Sequence, residues 1–92
     1  MLEKYLVKLF KNKNYSFSYT KINYIKENKD LYIVYLAEKI QSTGRPLVYK
    51  INKKDGKNEP IFLPDSENFK FLKDAEKFDF VNIPEKFKDK YF

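Results

Sequence analysis

The segment LYIVYLAEKI, Leu31 to Ile40, is apolar at both odd and even positions through its first seven residues. Alternate residues of a strand point to opposite faces, so a run that is apolar on both sets needs cover on both sides. It reads as the central strand of a sheet. Upstream, Tyr15, Phe17 and Tyr19 alternate with Ser16, Ser18 and Thr20, and Ile22, Tyr24 and Ile25 continue the pattern, which predicts a preceding strand. Its apolar set changes parity after Tyr19, the signature of a bulge near Thr20 and Lys21 or of burial on both faces beyond them. Glu27-Asn28-Lys29-Asp30 is a turn sequence that joins the two strands as an antiparallel hairpin. With Glu27 opposite Asp30, Tyr24 would face Ile33 and Ile22 would face Tyr35 on one side, with Ile25 and Tyr32 on the other. Both faces are apolar near the turn, so the second is either covered or a contact surface.

Working outward, Ser42-Thr43-Gly44-Arg45-Pro46 is a turn, and Leu47, Tyr49 and Ile51 alternate with Val48, Lys50 and Asn52 as a third strand. Asp55-Gly56 marks a further hairpin, and Glu59 to Leu63 predicts a short fourth strand that Pro60 confines to an edge. Toward the N-terminus, Leu2, Tyr5, Leu6, Leu9 and Phe10 fall on one face of a helix over residues 2–10, ended by Lys11-Asn12-Lys13-Asn14. Toward the C-terminus, Pro64-Asp65-Ser66 offers an N-cap for a helix over 66–78 with Phe71, Leu72, Ala75 and Phe78 on one stripe and Phe69 and Phe80 off it. Pro84, Phe87 and Tyr91 suit a short amphipathic tail. The expectation is a single α+β domain over residues 1–92. It has an N-terminal helix, an antiparallel sheet of three to four strands, and C-terminal helical segments on the other face or across an end.

The chain has 92 residues, of which 18% are aromatic, so each buried position contributes a large area to a small core. The net charge of +6 comes from eighteen Lys and a single Arg, accompanied by many Asn, Ile, Tyr and Phe. These are residues of A- and T-rich codons, which weakens charge as evidence for a nucleic-acid partner. Cys and His are both absent, which removes disulfides, thiolate and imidazole metal sites, and Ser-His or Cys-His nucleophile pairs. No cofactor or metal is expected. No apolar run approaches the ~18 residues that span a bilayer, and Glu3 and Lys8 interrupt any leader-like segment, so a cytoplasmic, non-membrane protein is expected.

The candidate binding residues are Arg45, Tyr49, Lys50, Lys53, Lys54 and Lys57, where cations and an aromatic ring could converge on the third strand and its hairpin. Such a set suits a phosphate backbone with one base stacked on the ring, and equally suits an edge hairpin whose lysines deter sheet pairing. Arg45 adds a planar fork able to hold phosphate or carboxylate bidentately. Tyr15, Phe17 and Tyr19 would form a stacking platform if they faced outward and part of the core if they faced inward. Lys54-Asp55-Gly56-Lys57 lacks the spacing of a phosphate loop, and the acidic pairs Asp65/Glu67 and Asp74/Glu76 fit helix capping rather than acid–base chemistry.

The element order of helix, three or four antiparallel strands and helix resembles that of double-stranded RNA-binding domains. Those domains open the final helix with Lys-Lys-x-Ala-Lys, whereas Asp65-Ser66-Glu67-Asn68 stands there in this chain, so acids replace the phosphate-binding run. Absent catalytic side chains and a surplus of aromatic sheet surface point to a small non-enzymatic accessory protein that binds a protein or nucleoprotein. A phage or mobile-element inhibitor of a host factor would fit. The alternative is a nucleic-acid-binding module that uses the basic, aromatic-bearing sheet.

Overall fold

The computed structural model describes residues 1–39, 46–62 and 66–88. The chain folds as α1 (Leu2–Asn12), β1 (Thr20–Glu27), β2 (Leu31–Glu38), β3 (Val48–Asn52), β4 (Asn58–Pro60), α2 (Ser66–Asp74), a 3₁₀ turn (Ala75–Lys77), β5 (Asp79–Val81) and a second 3₁₀ turn (Glu85–Phe87). The five strands form one antiparallel sheet in the order β4-β3-β2-β1-β5. The segment from Leu31 is central, as its two-sided apolar pattern requires. Ile40 and the turn residues 41–45 lie outside the described residues.

Both faces of β2 are sealed. On one, Tyr5, Leu6, Leu9 and Phe10 of α1 pack with Ile22, Ile25, Val34, Leu36, Tyr49 and Ile51. On the other, Ile33, Ile61 and Ala75 are buried, with Tyr35, Val48, Phe71, Leu72 and Phe78 packed against them. The stripe read from the sequence of α2 is therefore its inward face. The α2 segment also solves a connection problem, because β4 and β5 lie at opposite edges, about 19 Å apart at four interstrand spacings. Nine α-helical residues and a 3₁₀ turn supply roughly that length.

The sheet departs from the sequence expectation in three places. It has five strands rather than three or four: β5 pairs with β1 through Ile25↔Val81, Lys26↔Phe80 and Glu27↔Asp79. Three residues are too few to show alternation, so this strand left no periodic signal. β1 begins at Thr20, not Tyr15. Asn14 adopts φ 57°, and the N–H of Tyr15 donates to Phe10 O while those of Tyr19 and Thr20 both donate to Ser16 O, so local turns satisfy these donors in place of a ladder. Finally, β4 covers Asn58–Pro60 and stops short of Ile61 and Phe62, at the edge position expected from Pro60, while Leu63, the last residue of the expected strand, lies outside the described residues.

The β1–β2 hairpin has a longer loop than the register expected from its turn, four residues (28–31) between the paired Glu27 and Tyr32 instead of two. Asn28 N–H donates to Leu31 O, and the Asn28 side chain accepts from the N–H groups of Asp30 and Leu31. Glu27 therefore faces Tyr32, Ile25 faces Val34, and Tyr24 faces Tyr35. A two-residue slip leaves each side chain on its expected face near the turn. The register then shifts between Ile22 and Tyr24, which places the bulge at Asn23 rather than at Thr20 and Lys21. This bulge turns Ile22 onto the α1 face beside Leu36, while Tyr24 stays on the α2 face.

Val34 is fully buried at the centre of the α1 face. Val34→Asp would leave a charge without a partner there and should destabilise the fold by several kcal/mol, read as a large loss of denaturation midpoint. The β3–β4 turn offers a second test. Gly56 has φ +73°, and a Cβ on it would stand 2.6 Å from Tyr5 Cδ1 of α1. Gly56→Ala should cost about 1 kcal/mol or more, and Gly56→Val more still, because each adds a steric clash to an unfavourable backbone conformation. Restoring stability in Gly56→Ala by trimming Tyr5 to Leu would identify the clash as the larger part.

Candidate binding surface

α2 covers the α2 face only over β2, β3 and the end of β4. Beyond it, at β1 and β5, aromatic rings reach solvent. Tyr24 stacks on Tyr35 at 4.2 Å between centroids with 26° between planes, and meets the edge of Phe80 at 5.8 Å. Lys26 Nζ lies 5.0 Å from the Phe80 centroid. Phe80 is 70% exposed and Tyr24 39%, whereas Tyr35 is half-buried at the margin of the α2 core. Phe62 and Phe69 are exposed too, but have no ring partner among the described residues.

Strand alternation separates charge across this part of the sheet. On β1, β2 and β5 the acids Glu27, Glu38 and Asp79 fall on the α1-facing set, while Lys21 and Lys26 share the set of Tyr24, Tyr35 and Phe80. The surface is aromatic with a basic margin. The β1–β2 and β1–β5 ladders fix the backbone beneath these rings, and the rings touch one another, which places them side by side for a partner.

The Tyr35 hydroxyl is held above its ordinary value, first by burial and second by the neighbouring Tyr24 phenol. It stays protonated, and a donor, throughout the neutral range.

The residues singled out from the sequence do not meet at one point. Tyr49 is 2% exposed and packs in the α1 core, where its hydroxyl lies 2.9 Å from that of Tyr15. It offers no face for stacking. Lys50 points to the opposite side, 3.7 Å from Glu59 and over the ring of Phe71. Lys53 pairs with Glu27 at 2.6 Å and covers Tyr32. Lys54 and Lys57 are exposed in the turn, where Asn52 Oδ1 accepts the Lys54 N–H and Asp55 Oδ1 that of Lys57. Arg45 lies outside the described residues. Two shallow clefts share the remaining cations: Lys50 and Lys57 with Leu31 and Glu59, about 220 Å³, and Lys53 and Lys54 with Lys29 and Asp30, about 410 Å³.

Tyr15, Phe17 and Tyr19 form no platform either. Tyr15 is buried and its hydroxyl donates to Pro46 O, whereas Phe17 lies on Phe10 and beside Phe87, which is itself buried. Among the described residues no three acidic side chains converge as metal ligands, and no helix is long and apolar enough to cross a membrane. The chain matches no protein-family model, and no match to it was found among curated proteins or solved structures.

The stacked tyrosines can be tested by titration. Phenolate absorbance should include a component from Tyr35 ionising above the ordinary value of about 10. That component should be lost in Tyr35→Phe and move down in Tyr24→Phe, where the repelling neighbour is gone. Because the folded state keeps this proton longer than the unfolded chain, the associated stability is intact below pH ~10 and is lost as pH rises through the folded value.

Proposed function

We propose that this protein is a non-enzymatic binding module that engages a protein or nucleoprotein partner through Tyr24, Tyr35 and Phe80, with Lys26 at the margin. The observation that carries the reading is the exposure of a connected aromatic cluster on a part of the sheet that α2 leaves uncovered. Covering a ring such as Phe80 contributes ~1.5–3 kcal/mol from area alone, and aromatics are among the residues on which interfaces most often depend. A small accessory protein that occupies a surface of a host factor, as a phage or mobile-element inhibitor does, is the setting that suits this chemistry. No side chain of the cluster is a nucleophile or a general base near neutral pH.

The second reading is nucleic-acid binding by the hairpin lysines, favoured by Lys29, Lys54 and Lys57, which make no ion pair among the described residues. Against it, Tyr49 is sealed, and Lys50 and Lys53 already face carboxylates. A partner recovered from extract, with nuclease present, separates the two readings. Phe80→Ala and Tyr24→Ala should each weaken its binding at least tenfold, ~1.4 kcal/mol, while Lys53→Ala with Lys54→Ala should change it less than about threefold. Micromolar binding of a short oligonucleotide at moderate salt, lost in the double lysine variant and falling steeply with salt, would reverse the ranking.

A further inference from the structure

The outer flank of α1 carries a feature independent of the aromatic cluster. Lys4, Lys8 and Lys11 recur at i, i+4 and i+7 and so share one side of the helix, about 10 Å long at 1.5 Å per residue. With Met1, Val7 and Asp55 they line a groove of about 600 Å³ between the helix and the β3–β4 turn. None of the three ammonium groups has an ion pair among the described residues. The groove's single acid, Asp55, already accepts the Lys57 N–H. Met1 is 80% exposed and Val7 half-buried, so an apolar strip runs beside the cations.

We infer that this groove is a second docking site, and that its occupant is an acidic segment of a protein chain with an apolar anchor. Carboxylates on such a segment meet three unpaired lysines, and an aliphatic side chain lies against Val7 and Met1, whose flexible thioether adapts to the shape presented to it. A nucleic acid is the poorer fit. Single strands bind by stacking bases on aromatic faces, and the one ring at this groove, Tyr5, is buried with an edge against Gly56 and its hydroxyl donating to Lys53 O. A membrane is poorer still, since three lysines and one exposed Met provide little area for insertion.

The test uses the full chain and a labelled 12-residue helical peptide with glutamates on one face and leucines at i, i+3 and i+7. Comparison probes are the same peptide with leucines replaced by serine, a 12-nucleotide oligothymidylate, and phosphatidylserine vesicles. Anisotropy should show the leucine peptide binding at least tenfold tighter than the serine peptide or the oligonucleotide, with vesicle binding negligible. Amide shifts should centre on residues 1–12 and Asp55. Lys4→Gln with Lys8→Gln and Lys11→Gln should weaken binding at least tenfold without changing the melting curve, and Tyr24→Ala with Phe80→Ala should leave it unchanged. The inference is overturned if the peptide does not bind at low salt, if the serine peptide, oligonucleotide or vesicles bind as well, if the shifts centre on Tyr24 and Phe80, or if the Gln variant binds normally.

Discussion

Ile33 and Val34 are neighbours on β2, point to opposite sides of the sheet, and are both fully buried. Adjacent side chains of one strand can both leave water only if each face of the sheet has its own cover. That constraint makes the protein three layers thick, with α1, sheet and α2 in sequence. In a chain of this length it also limits how much of the sheet can be covered, because α2 comprises nine residues and its packing stripe rests on Phe71 and Leu72, continued by Ala75 and Phe78 beyond its end. The aromatic margin at β1 and β5 is left outside that cover.

The α1 layer is fastened to the sheet by aromatic contacts rather than by aliphatic packing alone. Phe10 meets Tyr15 at 5.8 Å and Phe87 at 5.1 Å, and Tyr15 in turn meets Tyr49 at 6.0 Å with their hydroxyls in hydrogen-bond contact. The 3₁₀ turn Glu85–Phe87 is thereby tied to the first helix through one buried ring. Tyr5 does the same for the β3–β4 turn, touching Gly56 and donating to Lys53 O. Large rings with polar tips let few residues span long distances in a small core while still satisfying buried backbone acceptors.

Much of this was legible in the chain. The 3.6-residue period of Leu2 to Phe10, the two-sided run from Leu31, the Asp-Gly turn and the Phe71-Leu72-Ala75-Phe78 stripe each correspond to an element with the expected inward face. The candidate surface was harder to see. Apolar character on both sides of the β1–β2 hairpin, and Phe80 off its stripe, were the available signals. Neither could bring Tyr24, Tyr35 and Phe80 together without β5, which has only three residues. Tyr49 misled in the other direction, since its place among lysines in the sequence says nothing of which way it points.

What the sequence determined by itself was periodicity: where the chain is helix or strand, which strand is central, and that both sheet faces must be apolar near Tyr24. Those properties depend on residues a few positions apart and on steric rules that hold in any context. The tertiary structure alone decided the bulge at Asn23, the docking of β5 against β1, the burial of Tyr49 and the pairing of Lys50 and Lys53 with carboxylates. Each of these depends on groups that are distant in sequence or on a single-residue change of register. Which rings stay exposed is set by where α2 ends its crossing of the sheet, a matter of packing between layers that no local pattern encodes.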